Sequence, residues 1–135
     1  MKKYLLSLLF ITTLAGCNYS LVPQKSAQIN STIVDVGNDT EDLYDAVIVS
    51  PDKSFSPYEN RYNSIDAKID SITNADMLRP HSKNLVTQDN IIKKFFEKYK
   101  SDHRARNLNN AELTIYKLQM RRVIKPRLVS ESSFK

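Results

Sequence analysis

Residues 56–78 read SPYENRYNSIDAKIDSITNADML and carry the clearest periodic signal in the chain. Tyr58, Tyr62, Ile65, Ile69 and Ile72 recur at spacings of four, three, four and three. That period lays them along one face of a helix, with Asp66, Lys68 and Asp70 largely off it. Ser56, Pro57 and Glu59 suit the N-cap, first and third positions of this helix. A serine hydroxyl can accept from an orphan N–H, proline fits where no N–H partner exists, and glutamate can reach back in a capping box. The helix is expected to end near Leu78, because Pro80 disfavours helical backbone just before it. The apolar spacing lasts only about two heptads. Packing inside its own domain is therefore favoured over a coiled coil.

Two further helices are expected downstream. Thr87 suits the cap of one over about residues 88–100, with Ile91, Ile92, Phe95, Phe96 and Tyr99 as its apolar face. Lys93, Lys94, Lys98 and Lys100 occupy much of its remainder. Asn109 and Glu112 suit the capping box of the other, which should stop near Ile124, ahead of Pro126. Leu113, Tyr116, Met120 and Val123 mark its face, although residues 113–118 (LTIYKL) also have strand-like composition. Upstream, residues 32–36 (TIVDV) and 46–49 (AVIV) are β-branched runs, and Gly37-Asn38-Asp39 is a turn signal. The fold class read from these signals is mainly α: two or three short amphipathic helices with a small N-terminal β element.

The chain opens with Lys2 and Lys3, then an uncharged stretch over residues 4–14 (YLLSLLFITTL). That stretch has signal-peptide length and is short of the ~20 residues a spanning helix needs. Leu14-Ala15-Gly16-Cys17 follows, and Cys17 is the only cysteine. This stretch resembles the lipobox of bacterial lipoproteins, and the resemblance covers residues 1–17 alone. It implies a diacylglyceryl thioether on Cys17, cleavage before it, and acylation of the new amino group. Removing residues 1–16 from 135 would leave 119, enough for one small domain. Asn18 stands where Asp would favour the inner membrane, so the enterobacterial sorting rule points to the outer membrane. The expected organisation is a signal peptide at 1–16 and a lipidated Cys17 with a flexible tether over 17–30. A small envelope domain follows at 31–126, then a loose tail at 127–135. The expected place is the cell outer membrane, lipid-anchored and facing the periplasm.

Composition narrows the functional classes. Two glycines exclude glycine-rich phosphate loops and dinucleotide fingerprints. One cysteine excludes an internal disulfide and any multi-cysteine metal site. Of two histidines, His103 lies in Ser101-Asp102-His103, but triad members converge from separated segments. His81 follows Pro80 and reads as a surface side chain. Asp35, Asp39, Glu41, Asp42 and Asp45 lack calcium-loop spacing and read as an acidic, solvated loop. No enzyme activity is expected, no metal, and no cofactor beyond the covalent lipid on Cys17.

The charge is divided along the chain. Residues 18–90 hold 6 basic and 11 acidic residues, whereas residues 91–135 hold 12 basic and 4 acidic. These basic residues are either solvated helix faces, partly neutralised by the acidic half, or a surface that meets an anion. Lys93, Lys94, Arg121 and Arg122 are the candidate partner-binding residues. The expected function is a non-enzymatic binding or assembly factor with an envelope protein partner, as in an accessory of a secretion, conjugation or pilus machine. The alternative is direct binding of anionic cell-wall polymer or lipopolysaccharide. Nucleic acid is disfavoured, because Phe95, Phe96 and Tyr99 have core spacing before they have base-stacking spacing.

Overall fold

The computed structural model describes residues 25–134, which form four α-helices and, among the described residues, no strand. They are α1 (Ala27–Val49), α2 (Glu59–Met77), α3 (Lys83–Ala105) and α4 (Asn110–Ser132), with a 3₁₀ turn at Ser56–Tyr58. Each helix runs antiparallel to the next. Asp66 and Asp70 of α2 meet Lys100 and Lys93 of α3, so one number rises as the other falls. The same holds for Glu41 and Asp45 of α1 against Arg121 and Lys117 of α4. α1 packs on α2 and α4, and α3 also packs on α2 and α4, giving an up-and-down four-helix bundle.

The mainly α reading stands, and its β element is corrected. Both β-branched runs and the Gly37-Asn38-Asp39 signal lie inside α1. Ile29, Ile33, Val36, Thr40, Leu43, Tyr44 and Val47 are the buried residues of α1, a helical stripe that the two valine- and isoleucine-rich runs disguise. Burying this stripe among three other helices outweighs the modest helix propensities of its residues. The tether expected over 17–30 is likewise shorter, since α1 starts at Ala27 with Ser26 as its N-cap. Its first part, with the lipobox and Cys17, lies outside the described residues.

Gly37 sits in mid-helix without positive φ, and a Cβ there would meet Ile124 Cγ2 at 3.7 Å, an ordinary contact. Gly37→Ala should therefore stabilise the bundle by ~1 kcal/mol, because alanine loses less backbone freedom on folding. Thermal unfolding should shift upward by roughly 4 °C. A lowered midpoint would mean that the α1–α4 contact is tighter than this distance implies.

The helix ends differ from expectation in three places. Ser56 and Glu59 form no capping box; the 3₁₀ turn intervenes, and Glu59 pairs with Arg104 at 3.1 Å. Thr87 is interior to α3, its hydroxyl donating to the Lys83 carbonyl at 2.9 Å. α3 starts earlier because Leu85 and Asp89 extend its buried stripe by a full turn. α4 does not stop at Pro126 but runs through it, so the expected loose tail is helical as far as Ser132. A proline inside a helix costs about 3 kcal/mol. Here Arg127 and Glu131 beyond it are fully buried in ion pairs that require helical geometry. The Asn109–Glu112 capping box is present as read, with bonds of 2.9 and 3.0 Å.

The α1–α2 connection is pinned from both sides. Lys53 Nζ donates to the last carbonyls of α1, Val47 O at 3.0 Å and Ile48 O at 2.8 Å. A cation there also complements the negative end of the helix. His103 of α3 is buried, with Nε2 2.9 Å from the Lys53 carbonyl and Nδ1 2.9 Å from the Tyr62 hydroxyl. A carbonyl can only accept, so Nε2 carries the proton, and in the neutral ring Tyr62 donates to Nδ1. Both ring nitrogens are thus engaged in holding the loop.

Candidate functional site

The four basic residues singled out from the sequence divide into two pairs. Lys93 bonds Asp70 of α2, and Arg121 holds Glu41 of α1 through two bonds. Lys94 and Arg122 are exposed and make no salt bridge among the described residues. The same sorting runs through much of the basic third. Lys100 pairs with Asp66 at 2.8 Å and Arg104 with Glu59. Lys117 donates to Asp45 at 2.7 Å. Asp39, Glu41 and Asp45 are therefore not a loose acidic loop; they are the α1 side of bridges to α2 and α4. The Arg121 guanidinium holds the Glu41 carboxyl below the usual range, against the opposing effect of burial. Most of the basic charge is spent inside the bundle.

What remains outward is a mixed face. On α4, Ile115, Leu118, Arg122, Lys125 and Val129 are all exposed, at spacings of three, four, three and four. This is a second helical stripe, on the side away from buried Leu113, Met120 and Ile124. On α3, Ile91 and Lys94 are likewise exposed. The stripe was missed in the sequence because Leu113 and Val123 define an inward face first. The signal that marks it is the apolar residue pair, Ile115 and Leu118, left over once that face is assigned. Phe96 and Tyr99 are buried and Phe95 packs against the core, so these rings are unavailable to bases.

The bundle also holds a buried charge cluster that the sequence reading did not anticipate. Arg127 of α4 donates from Nε to Asp89 at 2.7 Å, from Nη1 to Glu131 at 3.2 Å, and from Nη2 to Asp76. Arg79 bonds Asp76 at 2.6 Å and Glu131 at 2.8 Å. The Ser26 N–H at the start of α1 donates to Glu131 at 2.7 Å. All four helices thus meet on two guanidinium groups and three carboxyls. Full ionisation would leave one negative charge in excess. Burial, helped by neighbouring Asp76 and opposed by Arg127, leaves the Asp89 carboxyl pushed up to about 7. Asp89 Oδ2 accepts no hydrogen bond, so it is the natural place for the balancing proton. The arrangement clamps helices together, with Arg127 held by three carboxyls and Arg79 by two of them.

Among the described residues no group of His, Cys, Asp and Glu could hold a metal ion. No described helix is long and apolar enough to cross a membrane. Attachment to a membrane has another source. Residues 1–18 match the family model for the prokaryotic membrane lipoprotein lipid attachment site. The chain carries a bacterial lipoprotein lipobox. It is a lipid-anchored protein, associated with a membrane through that anchor. The match ends before the first described residue, so it bears on the anchor and not on the bundle. No curated protein and no solved structure matches the chain.

Proposed function

We propose that this lipid-anchored bundle is a non-enzymatic binding or assembly factor at the outer membrane, facing the periplasm, with the lipid on Cys17. Its partner is an envelope protein that presents apolar side chains flanked by acidic ones. The observation that carries this reading is the outward stripe of α4, where Ile115 and Leu118 on one side and Val129 on the other flank Arg122 and Lys125, cations that make no salt bridge among the described residues. Apolar residues interleaved with a few charges suit a protein groove. A polyanion binder would need a broad positive field, and the bridges from Lys93, Lys100, Lys117 and Arg121 take much of that field away. The outer-membrane placement rests on Asn18. An accessory role in a secretion, conjugation or pilus machine is an analogy with small lipoproteins as a class.

A photoreactive residue at Leu118 or Lys94, crosslinked in cells, tests the proposal. One discrete protein adduct is expected. Arg122→Glu should then lower its recovery by roughly tenfold while helicity is unchanged. Heterogeneous glycan or lipopolysaccharide adducts would replace the protein partner with an anionic polymer. No adduct at either position would mean that the face is only solvated.

A further inference from the structure

The two ends of the bundle differ in what they expose. One end gathers the start of α1, the end of α2, the start of α3 and the end of α4. Across residues 25–31, 74–90 and 127–134 the only carboxylates are Asp76, Asp89 and Glu131, and all three are buried. The exposed lysines in those segments are Lys25 and Lys83. Between α2 and α3 the chain turns with Met77 62% and Leu78 87% exposed. The opposite end carries both signs, with exposed Asp52 and Glu59 beside Arg104 and Arg106.

The α2–α3 turn is built and not frayed. His81 holds φ at 61°, in the left-handed region that a residue with a side chain adopts only when its surroundings insist. Ser82 closes the turn by hydrogen-bonding the Asp76 carbonyl and the Arg79 carbonyl, the latter at 2.8 Å. Arg79 is tied to the buried carboxylates and lies 5.7 Å from the Phe134 ring centre. The two apolar side chains are therefore held outward on a fixed base.

Chain length says what lies opposite them. Cys17 precedes Lys25 by eight residues, a separation of about 28 Å at full extension. The far end of α1 is ~35 Å further away along the helix. The tether therefore confines this end to within about 28 Å of the anchor, whereas the other end can lie more than twice as far away. We propose that the confined end is a membrane-docking tip: Met77 and Leu78 enter the interface of a phospholipid bilayer while Lys25 and Lys83 meet anionic headgroups. Tethering supplies a high local concentration, so even this small apolar surface can dock without a large intrinsic affinity. The inference rests on the lipid anchor and is independent of any partner on α4.

Cys17 is the only cysteine and is taken up by the lipid, so one added thiol can be labelled alone. Leu78→Cys and Val49→Cys, the latter 82% exposed at the opposite end, would each carry a polarity-sensitive fluorophore. The full lipidated chain would be reconstituted in vesicles of phosphatidylethanolamine and phosphatidylglycerol containing brominated acyl chains. The expected result is a blue-shifted label at position 78, quenched at least about threefold more than one at position 49. Lys25→Glu with Lys83→Glu should reduce that quenching, as should high salt. Helicity would confirm that each variant folds. Equal, weak quenching at both positions would overturn the proposal, leaving the tip in water and free for a protein. Stronger quenching at position 49 would overturn it by reversing the orientation.

Discussion

Arg127→Ala should destabilise the bundle by about 3–5 kcal/mol at neutral pH, the usual cost of removing one partner from a buried ion pair. The side chain is fully buried and holds carboxylates from α2, α3 and α4 together. Its loss leaves Asp89 with no cation, and leaves Asp76 and Glu131 with Arg79 as the remaining one. Burying an unpaired carboxylate costs more than the mutual attraction of the pair contributes. Domains of this size have only about 5–15 kcal/mol in total, so the variant should be close to unfolding. Urea denaturation followed by helical circular dichroism would measure the loss. A change below about 1 kcal/mol would show that water reaches the cluster and solvates the stranded carboxylates. The prediction concerns the removal of one partner. Replacing the whole cluster with apolar residues of similar volume can be neutral or stabilising.

This cluster also marks where the sequence was legible and where it was not. The Tyr62–Ile65–Ile69–Ile72 stripe of α2 was readable because every position in it is apolar, and all four residues are buried. So was the Asn109–Glu112 cap, whose two residues bond each other's backbone N–H across three positions. Elsewhere the same stripes continue through polar residues: Thr40 in α1, Asp76 in α2, Asp89 and His103 in α3, Arg127 and Glu131 in α4. Thr40 is satisfied one turn back by the Val36 carbonyl, but each of the others has a partner from a distant segment, and a hydrophobicity pattern carries no information about that partner. The expected end of α4 rests on Pro126, and the buried positions beyond it, Arg127 and Glu131, carry no apolar signal to override the proline. The candidate surface was obscured in the same way. Lys93 and Lys94 are adjacent and chemically identical in sequence; only the position of Asp70 on a neighbouring helix separates a bridge from an open charge.

Asp89→Asn should raise stability by a margin that is small near pH 4, grows through pH 5 and 6, and is largest at pH 8. The Asp89 carboxyl titrates at about 7 in the folded chain against an ordinary value of 3.8. Between those values the folded state keeps a proton that the unfolded chain has released. The unfolded state therefore binds fewer protons, and stability falls as pH rises through this window, levelling above about 7. The slope is at most ~1.4 kcal/mol per pH unit for a single group. Glu131 acts with the opposite sign. Burial pushes its carboxyl up, but bonds from Arg79, the Ser26 N–H and Arg127 together hold it below the ordinary 4.5. Its contribution is present above that value and is lost as pH falls through its folded value. With these two groups the wild-type chain should be most stable near pH 4, where the Glu131 contribution is largely in place and the Asp89 loss has barely begun. Asparagine keeps an oxygen for Arg127 Nε and gives Asp76 an N–H donor, reproducing the protonated carboxyl at every pH. Urea midpoints for both chains at pH 5, 6, 7 and 8 would separate them, with the wild type declining and the variant level. If wild-type stability instead rises from pH 5 to pH 8, Asp89 is ionised throughout. Asp89→Asn would then weaken the clamp at every pH by removing the charge opposite Arg127.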